Sequence, residues 1–355
     1  MKETLYIYPQ DETLLDYKYH FSHNLCVRLY DDLVWVLKDS ESAGKVNVSI
    51  DFKNSKECEN FEKADDILSW LKINGYDNKA DEVIAKNLIC AVLSDACNFI
   101  YHSLDCSKKI KLTVALTLIR KPFLENLLII EQLLTHEKDF LNRFELESKQ
   151  FDPGRIKRED KLLLIEKSIG KIDNGAFFSS DLINQLRWDS NNPNSIYANS
   201  NMATHLVTNR NASYRTENLN LNFIFSSYRD WENLLQYYYS YVPYLLSYFV
   251  ECSDNYLLEK EILTLKQFKE RKFLRIMGHI LNYELSTEKS VNMDFSINDF
   301  LHEFHVTCQN CQHENQIFKS DILSLVNNDY IMCKYCLLDL FRETNSMDEI
   351  INEII

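Results

Sequence analysis

Two short stretches decide the C-terminal part of this fold, HVTCQNC at residues 305–311 and CKYC at residues 333–336. Each Cys-x-x-Cys pair places two thiolates within reach of one ion, and four thiolates complete a closed tetrahedral site. Thiolate ligands select zinc or an iron–sulfur cluster, and two pairs joined by one loop favour a zinc ribbon. The sequence therefore predicts a structural zinc ion bound by Cys308, Cys311, Cys333 and Cys336.

The loop between the two pairs contains two apolar segments, 317–318 and 330–332, which are predicted to pair as short strands. From Cys308 to Cys336 there are two lysines, three acidic residues and no arginine. Such a ribbon lacks the basic face of a DNA-reading module, and its closed thiolate shell leaves no open position for catalysis. We expect a structural staple or a protein-docking module.

The rest of the 355-residue chain has the composition of a helical protein. Only 6 Gly and 5 Pro are present, which is too few for a turn-rich β-sandwich. Apolar residues recur with helical spacing in eight segments: 14–38, 61–71, 79–104, 108–134, 158–169, 181–187, 227–251 and 257–285. Pro122 is predicted to kink the fourth of these. Segment 46–50 is a candidate edge strand, segment 4–8 is predicted to be a short strand or an extended lead-in, and segment 218–223 is predicted to be a strand or the start of a helix.

The predicted fold class is mostly α. A large helical bundle body occupies residues 1–292, with its core at roughly 79–286. Residues 293–355 form a small C-terminal zinc ribbon, with short β hairpins and a terminal helix.

Charge and cysteine usage indicate the compartment and the partners. The net charge of -14 disfavours nucleic acid as a partner, so we expect a protein partner or a homo-oligomer. Basic clusters at 108–111, 155–158 and 269–272 are predicted to be solvated helix faces. Scattered cysteines and the lack of a signal peptide favour the cytoplasm. The uncharged stretch 234–250 contains Pro243 and is predicted to be a buried core helix, so no membrane is expected.

Several polar residues are not explained by apolar periodicity. Arg120 lies on an apolar helix face, so its guanidinium needs an acidic or carbonyl partner. The full set is Arg120, Glu125, Arg187, Asp189, His205, Asn209 and Tyr214. Such groups could perform acid–base chemistry on a phosphodiester, or they could form a hydrogen-bond network that fixes helix register. Arg120, Glu125 and His205 are the candidate catalytic residues of a metal-independent nuclease.

A second candidate metal site is weaker. His20 and His23 follow Asp16 at helical spacing, but one buried and one exposed histidine is the preferred interpretation. The sequence contains no Walker loop, no dinucleotide-binding fingerprint and no Gly-x-Ser-x-Gly elbow. Familiar nucleotide hydrolases, dinucleotide-binding enzymes and α/β-hydrolases are therefore disfavoured.

Three blocks precede the ribbon in a fixed order: IRKPFLENL at 119–127, ATHLVTN at 203–209 and ENLNLNFIF at 217–225. From about residue 110 to Cys336, the chain resembles an uncharacterised group of bacterial helical proteins that end in a four-cysteine ribbon. Its helical part is distantly similar to abortive-infection proteins and to the HEPN (higher eukaryotes and prokaryotes nucleotide-binding) superfamily.

The resemblance implies a possible ribonuclease or toxin. HEPN nucleases carry an arginine followed, after four to six residues, by a histidine on one helix. Arg275 precedes His279 by too little and Arg271 precedes it by too much, so this motif is absent. The leading expectation is a cytosolic bacterial protein of anti-phage defence or stress response that binds protein partners. The alternatives are a HEPN-like ribonuclease with a non-standard site and, more weakly, a nucleic-acid-binding regulator.

Overall fold

A computed structural model describes residues 4–146, 155–172, 175–209, 211–286, 301, 305–328 and 330–340. These residues form helices, connecting loops and a single two-stranded antiparallel sheet near the C-terminus. The predicted fold class, a mostly α body with a small four-cysteine module, is therefore confirmed. The predicted terminal helix and the boundary at residue 292 lie outside the described residues.

The body is built from helices of very different lengths. Their bounds are α1 His20–Ser42, α2 Ser55–Glu62, α3 Ile67–Ile73, α4 Asp77–Lys108, α5 Leu112–Lys121, α6 Leu127–Leu146, α7 Arg158–Lys171, α8 Ser180–Trp188, α9 Ile196–Thr204, α10 Tyr228–Glu259 and α11 Leu265–Ser286. The main core lies where α1, α4, α5 and α6 pack around α10. Most side chains of α10 between Leu234 and Leu257 are buried, so this stretch is a core helix.

Pro122 interrupts the long apolar segment as predicted. It begins a π-helical turn, Pro122–Asn126, that separates α5 from α6. Proline has no N–H to donate to the preceding turn, so the regular hydrogen-bond ladder stops there. The wider turn lets α5 and α6 follow one another with a change in register.

The three predicted strands of the body are wrong. In segment 4–8, the backbone of Ile7 bonds to a side chain rather than to a second strand. The Asn24 side chain accepts from the Ile7 N–H at 2.9 Å and donates to the Ile7 carbonyl at 2.8 Å. Segment 46–50 follows a turn at Gly44, whose φ is +64°. Segment 218–223 cannot extend because Leu219 and Phe223 both have positive φ.

Two helix predictions also need correction. The predicted 61–71 helix is two helices, since Asp66 accepts from the Ser69 N–H at 3.1 Å and starts α3. The first helix begins at His20 rather than near Leu14, after a 3-10 turn that Asp16 caps.

The C-terminal module contains β1 (His305–Thr307), β2 (Glu314–Gln316) and α12 (Lys319–Asn328). The predicted pairing of 317–318 with 330–332 is wrong, because β1 pairs with β2 instead. Residues 317–318 lead into α12, which starts where Asp321 accepts from the Phe318 N–H at 2.8 Å. Met332 forms only an isolated bridge with Asp339.

This module shares a second hydrophobic core with the body. Phe273, Met277 and Leu281 of α11 pack with Ile322 and Leu325 of α12 and with other ribbon side chains. The C-terminal half of α11 therefore belongs to the packing of the metal module as well as to the helical body.

Candidate metal centre and the predicted polar site

The four predicted ligands converge. The sulfur atoms of Cys308, Cys311, Cys333 and Cys336 all lie within 4.8 Å of one another. Cys308 and Cys336 are separated by 3.6 Å between sulfurs, and Cys311 and Cys333 by 3.5 Å. Tetrahedral thiolates about 2.3 Å from one ion would be about 3.8 Å apart. The four thiols therefore form a site that can hold one metal ion.

The two Cys-x-x-Cys turns have the same backbone geometry. The N–H of Gln312 donates to the Cys308 carbonyl at 2.7 Å, and the N–H of Leu337 donates to the Cys333 carbonyl at 3.0 Å. In each turn the first cysteine donates its own N–H to the carbonyl five residues later: Cys308 to His313 at 2.9 Å and Cys333 to Leu338 at 2.8 Å. Gln312 and Leu337 both have left-handed backbones, with φ of 59° and 61°. The centre is thus two equivalent turns facing each other.

Hydrogen-bond donors around the sulfurs favour ionisation at the second turn. Burial opposes a charge on Cys333, but the N–H groups of Cys336 and Tyr335 and the Asn315 amide lower its pKa to about 6. The His313 N–H favours a charge on Cys311, but burial and the neighbouring sulfurs raise the pKa of Cys311 to about 12. Four thiolates this close together can coexist only when a cation compensates their charge.

The three candidate catalytic residues do not bond to one another, although Arg120 and the backbone N–H of His205 both donate to Asn201. Arg120 donates to the Asn201 side chain at 2.7 Å, and its guanidinium lies 5.4 Å from the centre of the Tyr197 ring. Glu125 is exposed in the π turn, and His205 is exposed at the end of α9. Among the described residues, no hydrogen bond or ion pair joins any two of the three.

The rest of the polar set is dispersed. Arg187 is fully buried and donates to Glu131 at 2.6 Å and to the Phe123 carbonyl at 2.8 Å. Asp189 forms an ion pair with Arg158 at 3.1 Å. Asn209 is exposed, and the Tyr214 carbonyl accepts from the Thr208 hydroxyl. Arg187 therefore lies in a buried polar network that links α6, α8 and, through Tyr248, α10.

A larger buried ion cluster was missed from the sequence. Arg271 donates to both carboxylate oxygens of Asp254 at 2.8 and 2.7 Å, and Arg275 donates to Asp254 at 2.6 Å and to Glu251 at 3.1 Å. Burial opposes ionisation, but the two guanidinium groups lower the pKa of Asp254. The prediction that 269–272 is a solvated face is wrong for Arg271. The sequence pattern that could have predicted this cluster is a pair of arginines four residues apart, Arg271 and Arg275, together with a pair of acids three residues apart, Glu251 and Asp254.

The two histidines near the N-terminus do not form a metal site. His23 is fully buried, with its ring nitrogens 3.0 Å from the Tyr239 hydroxyl and 2.9 Å from the Leu5 carbonyl. His20 is half-buried and its Nε2 donates to the Leu15 carbonyl. Within the described residues, the four cysteines are the one grouping that could hold an ion.

Comparison with models of protein families, with curated proteins and with solved structures finds no match to this chain. The fold and the site define it as a helical protein with a C-terminal four-cysteine metal module.

Helix α4 is, in the described part of the chain, the one helix whose length and hydropathy would let it cross a membrane. The core helices of proteins that never enter a membrane meet the same two criteria, and α4 packs against α1, α5 and α6.

Proposed function

We propose that this chain is a metal-stapled binding protein whose ribbon docks onto a protein partner, and that the stapling ion is zinc. Zinc suits a closed shell of four thiolates because it has no redox chemistry and accepts tetrahedral geometry. With all four positions occupied by protein, the ion would supply folding energy rather than catalysis.

The observation that carries the docking role is an exposed apolar loop at the second Cys-x-x-Cys turn. Leu337 is 68% exposed, Leu338 49% and Met332 48%. The bridge between Met332 and Asp339 closes this loop, so the three residues belong to one short turn that also carries Cys333 and Cys336. Exposed apolar side chains within one short turn are typical of a protein interface.

The choice of leucine at position 337 supports a role for its side chain. A left-handed backbone costs a side-chain-bearing residue about 1–2 kcal/mol relative to the usual conformation, and glycine avoids this cost. Leu337 therefore contributes neither favourable backbone conformation nor buried area to the ribbon. A leucine there is explained if a partner covers it.

The test compares Leu337→Gly with Gln312→Gly in the full-length protein. Both substitutions relieve the same left-handed backbone, but only the first removes an apolar side chain. We expect the wild-type protein and Gln312→Gly to form the same complex. This complex is either a homo-oligomer, detected by sedimentation velocity, or a pairing with a co-purifying protein. Leu337→Gly should weaken it by about tenfold or more, as expected for burying a leucine. The proposal would be contradicted if Leu337→Gly and Gln312→Gly formed the complex equally well, or if neither formed one.

We place this binding role in bacterial anti-phage defence or stress response, within the cytoplasm. The support is the order of the three sequence blocks before the ribbon, which resembles that of an uncharacterised group of bacterial helical proteins, and the distant similarity of the helical part to abortive-infection proteins. Deletion of the gene should reduce resistance to phage, and Leu337→Gly should fail to restore it while Gln312→Gly restores it. A ribonuclease built on Arg120, Glu125 and His205 has less support, because Arg120 is bonded to Asn201 and no hydrogen bond or ion pair joins any two of these three described residues.

A further inference from the structure

A cleft of about 540 Å³ lies between α6 and the start of α7, distant from the metal centre in the chain. Its walls include Arg143, Arg155 and Lys167, opposed by Asp139 and Asp160. Cations are thus gathered in one cleft of a protein whose net charge is -14. Local positive charge against an acidic background attracts anions.

Among the cations of this cleft, Lys167 gives the clearest indication of an anion site. Its ammonium lies 3.1 Å from His136 Nε2, and among the described residues no carboxylate lies within ion-pair distance of it. An ammonium can only donate, so the imidazole nitrogen must accept and the ring proton must be on Nδ1. Lys167 is therefore held by a neutral base, and its charge is not compensated by its partner.

The orientation of His136 is fixed from the other side. Its Nδ1 lies 2.7 Å from the Thr135 hydroxyl, whose own hydrogen is donated to the Glu131 carbonyl at 2.7 Å. His136 itself has a non-helical backbone, with φ −145° and ψ 45°, which breaks α6 at the cleft. The helix break, the imidazole and the ammonium thus form one positioned unit.

A second cation is also positioned. Arg143 donates to Asp139 at 3.0 Å and to the Gln132 side chain at 3.2 Å, which holds its guanidinium at the cleft wall. Asp139 is largely exposed, so water screens this pair and the guanidinium retains affinity for a further anion.

The size and the lining of the cleft limit the ligand. A bare phosphate would fill a small part of about 540 Å³. Ile156, Leu163 and Leu164 supply an apolar wall beside the cations. An anion with a flat apolar body matches both halves of the lining.

We propose that this cleft binds a small phosphomonoester with an apolar body, of nucleotide size, with its phosphate on Lys167, Arg143 and Arg155. This site is independent of the docking loop and of the metal ion.

The test is calorimetric titration of the full-length protein with AMP and with inorganic phosphate at low ionic strength. We expect AMP to bind saturably at one site per chain and more tightly than inorganic phosphate. Lys167→Gln should weaken AMP binding about tenfold or more, the loss expected for one charge-assisted hydrogen bond.

Lys138→Gln is the matched control, because Lys138 is an exposed lysine of α6 that does not line the cleft. It should leave AMP affinity within about twofold of wild type, since an exposed charge that does not line the cleft is screened. Unchanged thermal unfolding midpoints would show that both variants are folded. Absence of saturable AMP binding, or an equal loss in both variants, would overturn the proposal. Equal affinities for AMP and inorganic phosphate would overturn the role of the apolar wall.

Discussion

The side-chain amide of Asn315 donates to the sulfur of Cys333 at 3.4 Å, and its carbonyl accepts from the Lys334 N–H at 2.8 Å. Asn315 is on β2, next to the first Cys-x-x-Cys turn, and Cys333 begins the second. One buried side chain therefore connects the two halves of the metal centre. Partners of this kind orient metal ligands and moderate their charge.

Replacing this amide should weaken metal binding without removing a ligand. We expect Asn315→Leu to reduce zinc affinity by about 10–100-fold, the usual effect of losing a group that orients a ligand. Competition with a chromogenic chelator measures the affinity. Glu314→Leu is the control, because Glu314 is exposed on the same strand. A zinc affinity equal in the two variants would show that Asn315 does not support the centre.

Loss of a ligand should unfold the ribbon and also loosen one part of the body. We expect Cys308→Ser to raise hydrogen exchange in β1, β2 and α12, because metal binding supplies folding energy. Exchange should also rise at Phe273–Leu281, since these α11 side chains pack in the ribbon core. Helices α4 to α6 should keep wild-type protection. Protection lost throughout the chain, or unchanged in α11, would contradict this division of the packing.

The buried Arg187–Glu131 pair should contribute strongly to stability. Arg187→Met leaves the Glu131 carboxylate buried with the Tyr248 hydroxyl, at 2.9 Å, as its one hydrogen-bond donor among the described residues. We expect a loss of about 3–5 kcal/mol in the free energy of unfolding, measured by urea denaturation. The exposed Arg158–Asp189 pair provides the comparison, and Arg158→Met should cost at most about 1 kcal/mol. Similar losses in the two variants would mean that Arg187 is not a structural residue.

Stability should fall in mild acid because of His23. Burial lowers the pKa of His23 from 6.5 to about 4, although the Leu5 carbonyl favours the charged ring. The unfolded chain therefore takes up this proton below pH 6.5, whereas the folded chain resists it until about pH 4. Folding stability that is complete above pH 6.5 is thus lost as the pH falls toward 4.

Between pH 7 and pH 5 this difference amounts to about 2 kcal/mol of unfolding free energy. The His23→Gln variant should lack that part of the loss, and His20→Gln should keep it because His23 is intact. Parallel pH profiles for wild type and His23→Gln would contradict the assignment.

Sequence reasoning succeeded where one short stretch carries the whole physical argument. The four cysteines were predicted because the spacing of a thiolate pair fixes its geometry within four residues. Pro122 was predicted as a helix interruption because its ring excludes the hydrogen bond locally. The mostly α class followed from composition and periodicity, which are also local properties.

It failed where partners come from distant parts of the chain. Segment 4–8 alternates like a strand, but the Asn24 side chain occupies its backbone groups and no second strand is needed. Arg271 was predicted to lie on a solvated helix face, but α10 and α11 bring it against the buried carboxylate of Asp254. Periodicity gives the face of a helix on which a charge lies, but not the depth of that face in the packed protein.

The zinc content of the full-length wild-type protein tests the central claim most directly. Protein prepared with sufficient metal and analysed by inductively coupled plasma mass spectrometry should contain one zinc per chain, because four converging thiolates form one closed tetrahedral site. Cys333→Ser should lower that content. Wild-type protein with no bound zinc, or with iron in its place, would contradict the account.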